Sequence, residues 1–267
     1  MKRKMLLAPA PANVLGALLC AAILLSLTPW LRPACADEAA DFLAGRSKTC
    51  VKCSLQRAPL KQKDLSGADL SGADLSRSVM HRAQLGGAKL EGANLTDANL
   101  NKTDLKTASL VRAKAENAMF YGSDLSAADL SDADLAGAKM QTAHLIRAKL
   151  DRAKISDAML TAVRLDDASL RGADLSRTNL IEASLRRADL EGANLDNAGL
   201  LNAVLRDANL KSAKLTGADL YGADLSGADL TGADLSGARL TSAVLTGAKL
   251  EGVKLSGTIM PDGAVHE

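Results

Sequence analysis

Residues 213–232 read AKLTGADLYGADLSGADLTG, four copies of one five-residue unit typified by Ala218-Asp219-Leu220-Tyr221-Gly222. The same register continues outward without an insertion. From Leu60 to Met260 every fifth residue is the centre of a unit, and 35 of those 41 centres are Leu. The others are Met80, Ala115, Phe120, Met140, Ile155 and Met260. Ala stands two residues before the centre in 33 units. A period of five fits neither regular element. On an α-helix five residues turn about 500°, so successive leucines scatter around the cylinder instead of forming a stripe. On a straight strand five is odd, and successive leucines would face opposite ways. The chain must therefore turn within every unit. If each unit is one side of a square, Ala and Leu share the inward face and the other three positions point out. Four units close a coil of 20 residues, and coils stack through backbone hydrogen bonds at about 4.8 Å.

The turn chemistry agrees. Sixteen of the 21 glycines lie two residues after a centre, and Asp97, Asn117 and Asp157 occupy the same place elsewhere. These residues tolerate the positive φ of a tight corner. Charges test the coil length independently, because residues 20 apart should stack at the strand spacing, where opposite signs attract. Lys114, Asp134, Lys154 and Asp174 alternate in sign. So do Arg147, Asp167, Arg187 and Asp207, and Asp151, Arg171, Glu191 and Lys211. Asp69 with Lys89, Asp129 with Lys149 and Asp229 with Lys249 add pairs. Asp104 over Asp124 and Arg186 over Arg206 are exceptions. Exposed pairs contribute about 0–1 kcal/mol each, so these ladders report register more than stability.

The unit A-(D/N/K)-L-x-x resembles the pentapeptide-repeat family over about three-quarters of the chain. The resemblance implies an all-β, right-handed quadrilateral β-helix of about ten coils. An open stack exposes strand edges at both ends. A short capping helix is expected over 38–46, with Asp37 as N-cap and Phe42 and Leu43 packed on the first coil. At the other end only residues 261–267 follow Met260. That is thin cover, so the tail folds over the last coil or the end pairs with a second copy.

The chain begins with Lys2, Arg3 and Lys4, an uncharged apolar run at 14–27, and Ala34-Cys35-Ala36 before Asp37. This is the pattern of a secretory signal peptide cleaved after Ala36, and the apolar run is short for a membrane span, which needs about 20 residues. The expected organisation is signal 1–36, cap 37–54, solenoid 55–260 and tail 261–267, in the periplasm or outside the cell. The 33 basic and 31 acidic residues include four bases in the signal, so the mature chain carries net charge −2. That balance gives no reason to expect nucleic acid. Once the signal is removed, nothing in the pattern calls for a membrane.

No constellation for catalysis is visible. His81 and His144 face outward on different sides, and His266 is in the tail. A filled solenoid is convex, whereas an active site needs a concavity. The aspartates before the centres suit turn hydrogen bonds, and Lys interrupts them where calcium would need converging oxygens. No cofactor or metal is expected. Cys50 and Cys53, in an exported chain, are expected to form a structural disulfide. Two other functions compete with a non-enzymatic scaffold. One is a thiol-redox role for this C-x-x-C. The other is inhibition by DNA-like surface mimicry, proposed for gyrase-directed members of the resembled family, which would need a strongly acidic surface. The best candidate for a protein partner's contact is an outward column of Ile181, Leu201 and Tyr221, with Val204, Arg186 and Arg206 on the adjoining side and Tyr121 lower in the column. Ala115 beside Phe120 reads as an exchange of volume between neighbouring core positions.

Overall fold

The computed structural model describes residues 34–267. The basic start and apolar run of the expected signal lie outside the described residues. Helix α1 spans Ala34–Leu43. It begins earlier than the expected 38–46, so Asp37 lies inside the helix rather than capping it. Phe42 is buried against the first coil, whereas Leu43 is exposed, so only one of the two expected anchors packs.

After α1 the chain runs as single-residue parallel bridges. They begin at Thr49 with Asp69 and end at Arg239 with Ile259, and every partner lies 20 residues away. Each side contributes three bonds to its neighbour. On one side Leu170 N–H donates to the Asp189 carbonyl at 2.7 Å, Gly172 to Glu191 at 2.9 Å, and Asp189 back to Ala168 at 2.9 Å. Each corner is closed locally, as where Ala173 N–H donates to Leu170 O at 3.1 Å. The ladder starts ahead of residue 55, so Cys50 and Cys53 already occupy inward positions of the first coil. The four sides are named here for their first centres: Leu55, Leu60, Leu65 and Leu70, each recurring every 20 residues.

The inward residues build one continuous core from Phe42 to Ala243. Ala115 and Phe120 are both fully buried within it. Every corner residue from Lys52 to Gly257 is left-handed, with φ between +54° and +71°. Twenty-six of these residues are not glycine, and Arg57, Arg152 and Arg187 are among them. The geometry of the coil therefore dictates the conformation even where intrinsic preference opposes it.

The C-terminal end is covered on one side only. Strands β1 (Thr258–Ile259) and β2 (Val265–His266) form an antiparallel pair. Gly257 N–H reaches His266 O at 2.7 Å. On the other three sides the N–H groups of Leu245, Leu250 and Leu255 have no backbone partner among the described residues. Leu250 is correspondingly 38% exposed, and Leu245 and Leu255 are only partly buried.

Candidate functional site

Three of the four sides are laced by ion pairs. Along the Leu70 side Lys89 lies 3.9 Å from Asp69 and Lys149 lies 3.8 Å from Asp129. Arg152 grips Asp132 through two bonds of 2.8 Å. Along the Leu55 side Lys154 lies 3.6 Å from Asp134, and Arg177 takes Asp157 at 2.6 Å. On the Leu65 side Arg187 pairs with Asp167 at 2.7 Å. These guanidinium bonds hold the Asp132, Asp157 and Asp167 carboxyls below the usual carboxylate range. The expected 20-residue charge stacking is thus formed for several of the pairs read from the sequence.

A second spacing was not foreseen. Arg171 reaches Asp189, Arg206 reaches Asp224 and Lys211 reaches Asp229, each 18 residues on. This diagonal joins the position after one centre to the position before the next centre on the same side. It also resolves the like-charged exceptions. Lys106 sits between Asp104 and Asp124, at 3.9 and 3.2 Å. Arg186 turns to Ser184 at 2.7 Å and to Asp166 at 3.8 Å, leaving Arg206 to Asp224. Both arginines of the expected contact are therefore engaged within their own side.

The Leu60 side is different. Its outward residues from Pro59 to Ile181 include no Asp or Glu. In their place stand Val79, Met119, Tyr121, Met159 and Ile181, with Asn99, Asn101, Gln141, Thr161 and Asn179 among them. The two outward columns form one surface. Gln141 Nε2 meets Met159 Sδ at 3.5 Å, and Thr161 Oγ1 donates to Asn179 Oδ1 at 3.3 Å. Tyr121 is 49% exposed, Met159 41% and Val79 39%. The three residues singled out from the sequence lie in this side. Ile181 and Leu201 are half-buried, and Tyr221 is 40% exposed beneath Arg239, whose Cζ lies 5.1 Å from the ring centroid. Arg239 is itself fixed by Asp219 at 2.8 Å. Val204 is half-buried on the adjoining Leu65 side. The most exposed apolar groups of this side are thus Tyr121 and Met159, lower in the stack. Tyr121 is the lower member of the column read from the sequence, whereas Met159 stands in the position before a centre, which that column does not sample.

Elsewhere the surface offers little chemistry. A polar cleft of about 330 Å³ is lined by Gln56, Arg57, Ser76, Arg77, Asn94, Thr96 and Asp97. No cluster suited to a metal ion occurs among the described residues. The aspartates before the centres serve their own turns, as where Asp64 Oδ1 accepts from Ser66 N–H at 3.0 Å and Asp229 Oδ1 from Thr231 N–H at 3.2 Å. Cys50 and Cys53 are fully buried and adjacent, with Cα atoms 5.3 Å apart.

A sequence profile described as pentapeptide repeats matches the chain in eight copies, over residues 53–92, 88–126, 128–167, 164–200, 192–227 and 223–260. Among solved structures, the chain resembles HetL, a pentapeptide repeat protein involved in heterocyst differentiation regulation from the cyanobacterium Nostoc sp. strain PCC 7120. The two are 36% identical over 85% of this chain and 97% of that one, with a TM-score of 0.55. A pentapeptide repeat protein of the Arabidopsis thaliana thylakoid lumen is 29% identical over 39% of this chain and 68% of its own, with a TM-score of 0.30. QnrB1, a plasmid-mediated fluoroquinolone resistance protein, is 23% identical over 66% of this chain and 92% of its own, with a TM-score of 0.32. No curated protein matches significantly.

Proposed function

Since this chain belongs to the pentapeptide-repeat family, whose fold is a right-handed β-helix, we propose that it is an exported, non-enzymatic scaffold that binds a protein partner through its Leu60 side. One observation carries the reading. Three sides carry ladders of ion pairs, and the fourth presents Val79, Tyr121, Met159 and Tyr221 with a single ion pair, Arg239 with Asp219, among the described residues. Aromatic residues and methionine are enriched in interface cores, where charged groups are depleted. A scaffold also suits the architecture, because stacked coils give a long flat side of fixed spacing.

The finer organisation follows from the same reading. About ten coils make the rod, and α1 caps its first coil through Phe42. Cleavage after Ala36 would remove the first three residues of α1. The protein then resides in the periplasm or outside the cell. Cys50 and Cys53 form a structural disulfide there. Their complete burial disfavours thiol exchange, which needs access to the sulfur. The open C-terminal coil pairs with a second copy, satisfying the free N–H groups of Leu245, Leu250 and Leu255. DNA mimicry is the weaker alternative, because acids here alternate with bases instead of forming a continuous acidic field.

The test is photo-crosslinking in the producing cells. A crosslinking residue is placed at Tyr121 or Met159, and as a reference at Ser131 on the opposite Leu70 side. A discrete adduct from the first two positions and none from Ser131 supports the reading. No adduct, or equal adducts from all three, overturns it. Light scattering of the purified protein tests the second copy, and a monomer at high concentration rejects it.

A further inference from the structure

We propose that the lower half of the Leu60 side, from Lys61 to Lys139, receives an acidic protein segment that carries apolar anchors. This rests on the scaffold reading and adds the chemistry of the partner. Outward positions from Pro59 to Ile181 hold four cations, Lys61, Arg82, Lys102 and Lys139, and no anion. None of the four forms an ion pair among the described residues, whereas the opposite side pairs Lys89, Lys149, Arg152 and Arg171 with its own acids. Arg57, on the corner adjoining Pro59, is likewise unpaired among the described residues.

The placement of these cations departs from the rule the rest of the stack obeys. Residues 20 apart lie one coil above another, so Arg82 lies directly below Lys102. Like charges at this spacing repel. In each of the other like-charged stacks at least one member is ion-paired: Arg77, stacked on Arg57, with Asp97, Asp104 and Asp124 with Lys106, and Arg186 and Arg206 with Asp166 and Asp224. Neither Arg82 nor Lys102 is ion-paired among the described residues, and the outward positions of their side from Pro59 to Ile181 hold no acid that could relieve them. An external anion would.

The spacing and the neighbours narrow the ligand. Lys61 to Lys139 spans four coil steps, about 19 Å at the strand spacing, which is about six residues of extended chain. Exposed Val79 and Tyr121 lie along the same run, and exposed Met159 lies one coil beyond Lys139. A simple polyanion would leave those apolar groups uncovered. A peptide alternating Asp or Glu with aromatic or aliphatic residues meets both kinds of group. Charge complementarity of this sort acts mainly through association rate and choice of partner.

The experiment measures fluorescence anisotropy of a labelled dodecapeptide alternating Glu with Phe and Leu, against the purified protein at low salt. The same peptide with Lys in place of Glu is the reference. Each exposed pairing is worth up to about a fivefold change in affinity. The triple variant Lys61→Glu, Arg82→Glu, Lys102→Glu should therefore weaken binding at least about tenfold. Lys52→Glu with Arg112→Glu, on the opposite side, should leave it unchanged. Binding should also weaken as salt rises. The proposal is overturned if the triple variant binds the acidic peptide as the parent does, or if the opposite-side variant loses as much. It is also overturned if vesicles of phosphatidylglycerol are bound and the peptide is not. If Tyr121 still crosslinks a partner in the triple variant as in the parent, the acidic chemistry fails and the scaffold reading stands. If Tyr121 yields no adduct in the parent, the scaffold reading itself fails.

Discussion

The exchange of volume between Ala115 and Phe120 can be tested as a double-mutant cycle. Both residues are at 0% exposure in the continuous core. Ala115 stands between Leu95 and Leu135 in its column, and Phe120 stands between Leu100 and Met140 on the next side. Together Ala and Phe carry as many side-chain carbons as two leucines, so the pair preserves the volume of the standard repeat. Ala115→Leu alone adds bulk where a ring already fills the space, and overpacking of this kind costs about 1–3 kcal/mol. Phe120→Leu alone removes three carbons, and transfer plus cavity terms give about 2–3 kcal/mol. Restoring the standard repeat with both changes should return stability to within about 1 kcal/mol of the parent. The coupling is then at least about 2 kcal/mol, within the range known for residues in contact. Urea unfolding followed by far-ultraviolet circular dichroism measures it, provided the m value stays constant across the four proteins. That proviso matters in a stack where each coil contacts only its neighbours and partial unfolding is a real alternative. If the double variant loses the sum of the two single losses, the residues do not share a space. If Ala115→Leu alone stabilises, there is a hole at Ala115 that Phe120 does not fill.

Three other outcomes follow from particular contacts. Ser78 Oγ is buried without a hydrogen-bond partner, whereas Ser123 donates to Phe120 O at 2.6 Å and Thr178 to Leu175 O at 2.6 Å. Ser78→Ala should therefore raise stability by about 1 kcal/mol, and a loss on urea unfolding would point to a partner for that hydroxyl. Ala162 holds φ +54° and Thr107 φ +56° at corners, so Ala162→Gly and Thr107→Gly should each gain about 0.5–1 kcal/mol, and a lower melting temperature in both would reject corner strain. Asp132, Asp157 and Asp167 are lowered by their arginine bonds, and Asp229 by bonds that Thr231 leads. A depressed carboxyl favours the fold above its unfolded value near 4 and loses that contribution as pH falls through the folded value. The urea midpoint should thus hold from about pH 5 upward and decline below about 4, and a midpoint flat down to pH 2 would remove the ladders from the account of stability.

The inward half of the structure was open to reading because two of every five positions obey one steric demand. Leu170 and Ala168 must face in, and a five-residue period leaves a square coil as the way to bury them all. The corners were half legible. Gly172 announces its left-handed φ, but Arg152 and Arg187 adopt the same φ because the coil on either side requires it. The 20-residue stacking was visible in Asp167 and Arg187. The 18-residue diagonal of Arg171 and Asp189 was not, since it depends on where side chains lean between coils. Asp37 shows the limit at the ends: capping chemistry pointed to it as the helix start, whereas the helix begins three residues earlier, at Ala34.

The outward positions demand a different question, because three residues in five are free of the core and their identities vary. A column of apolar residues is weak evidence taken alone, as Tyr221 illustrates, since Arg239 from its own side already stacks over part of its ring. The stronger signal is a side on which the stack's own charge rule lapses. Where acids and bases alternate, as at Asp129 and Lys149, the surface is satisfied by itself and needs nothing from outside. Arg82 lies below Lys102 with no acid among the outward positions of their side from Pro59 to Ile181, and this is the repulsion that the proposed acidic segment would relieve. That asymmetry distinguishes the Leu60 side from its three neighbours, and it could not be drawn until the coil had assigned each residue to a side.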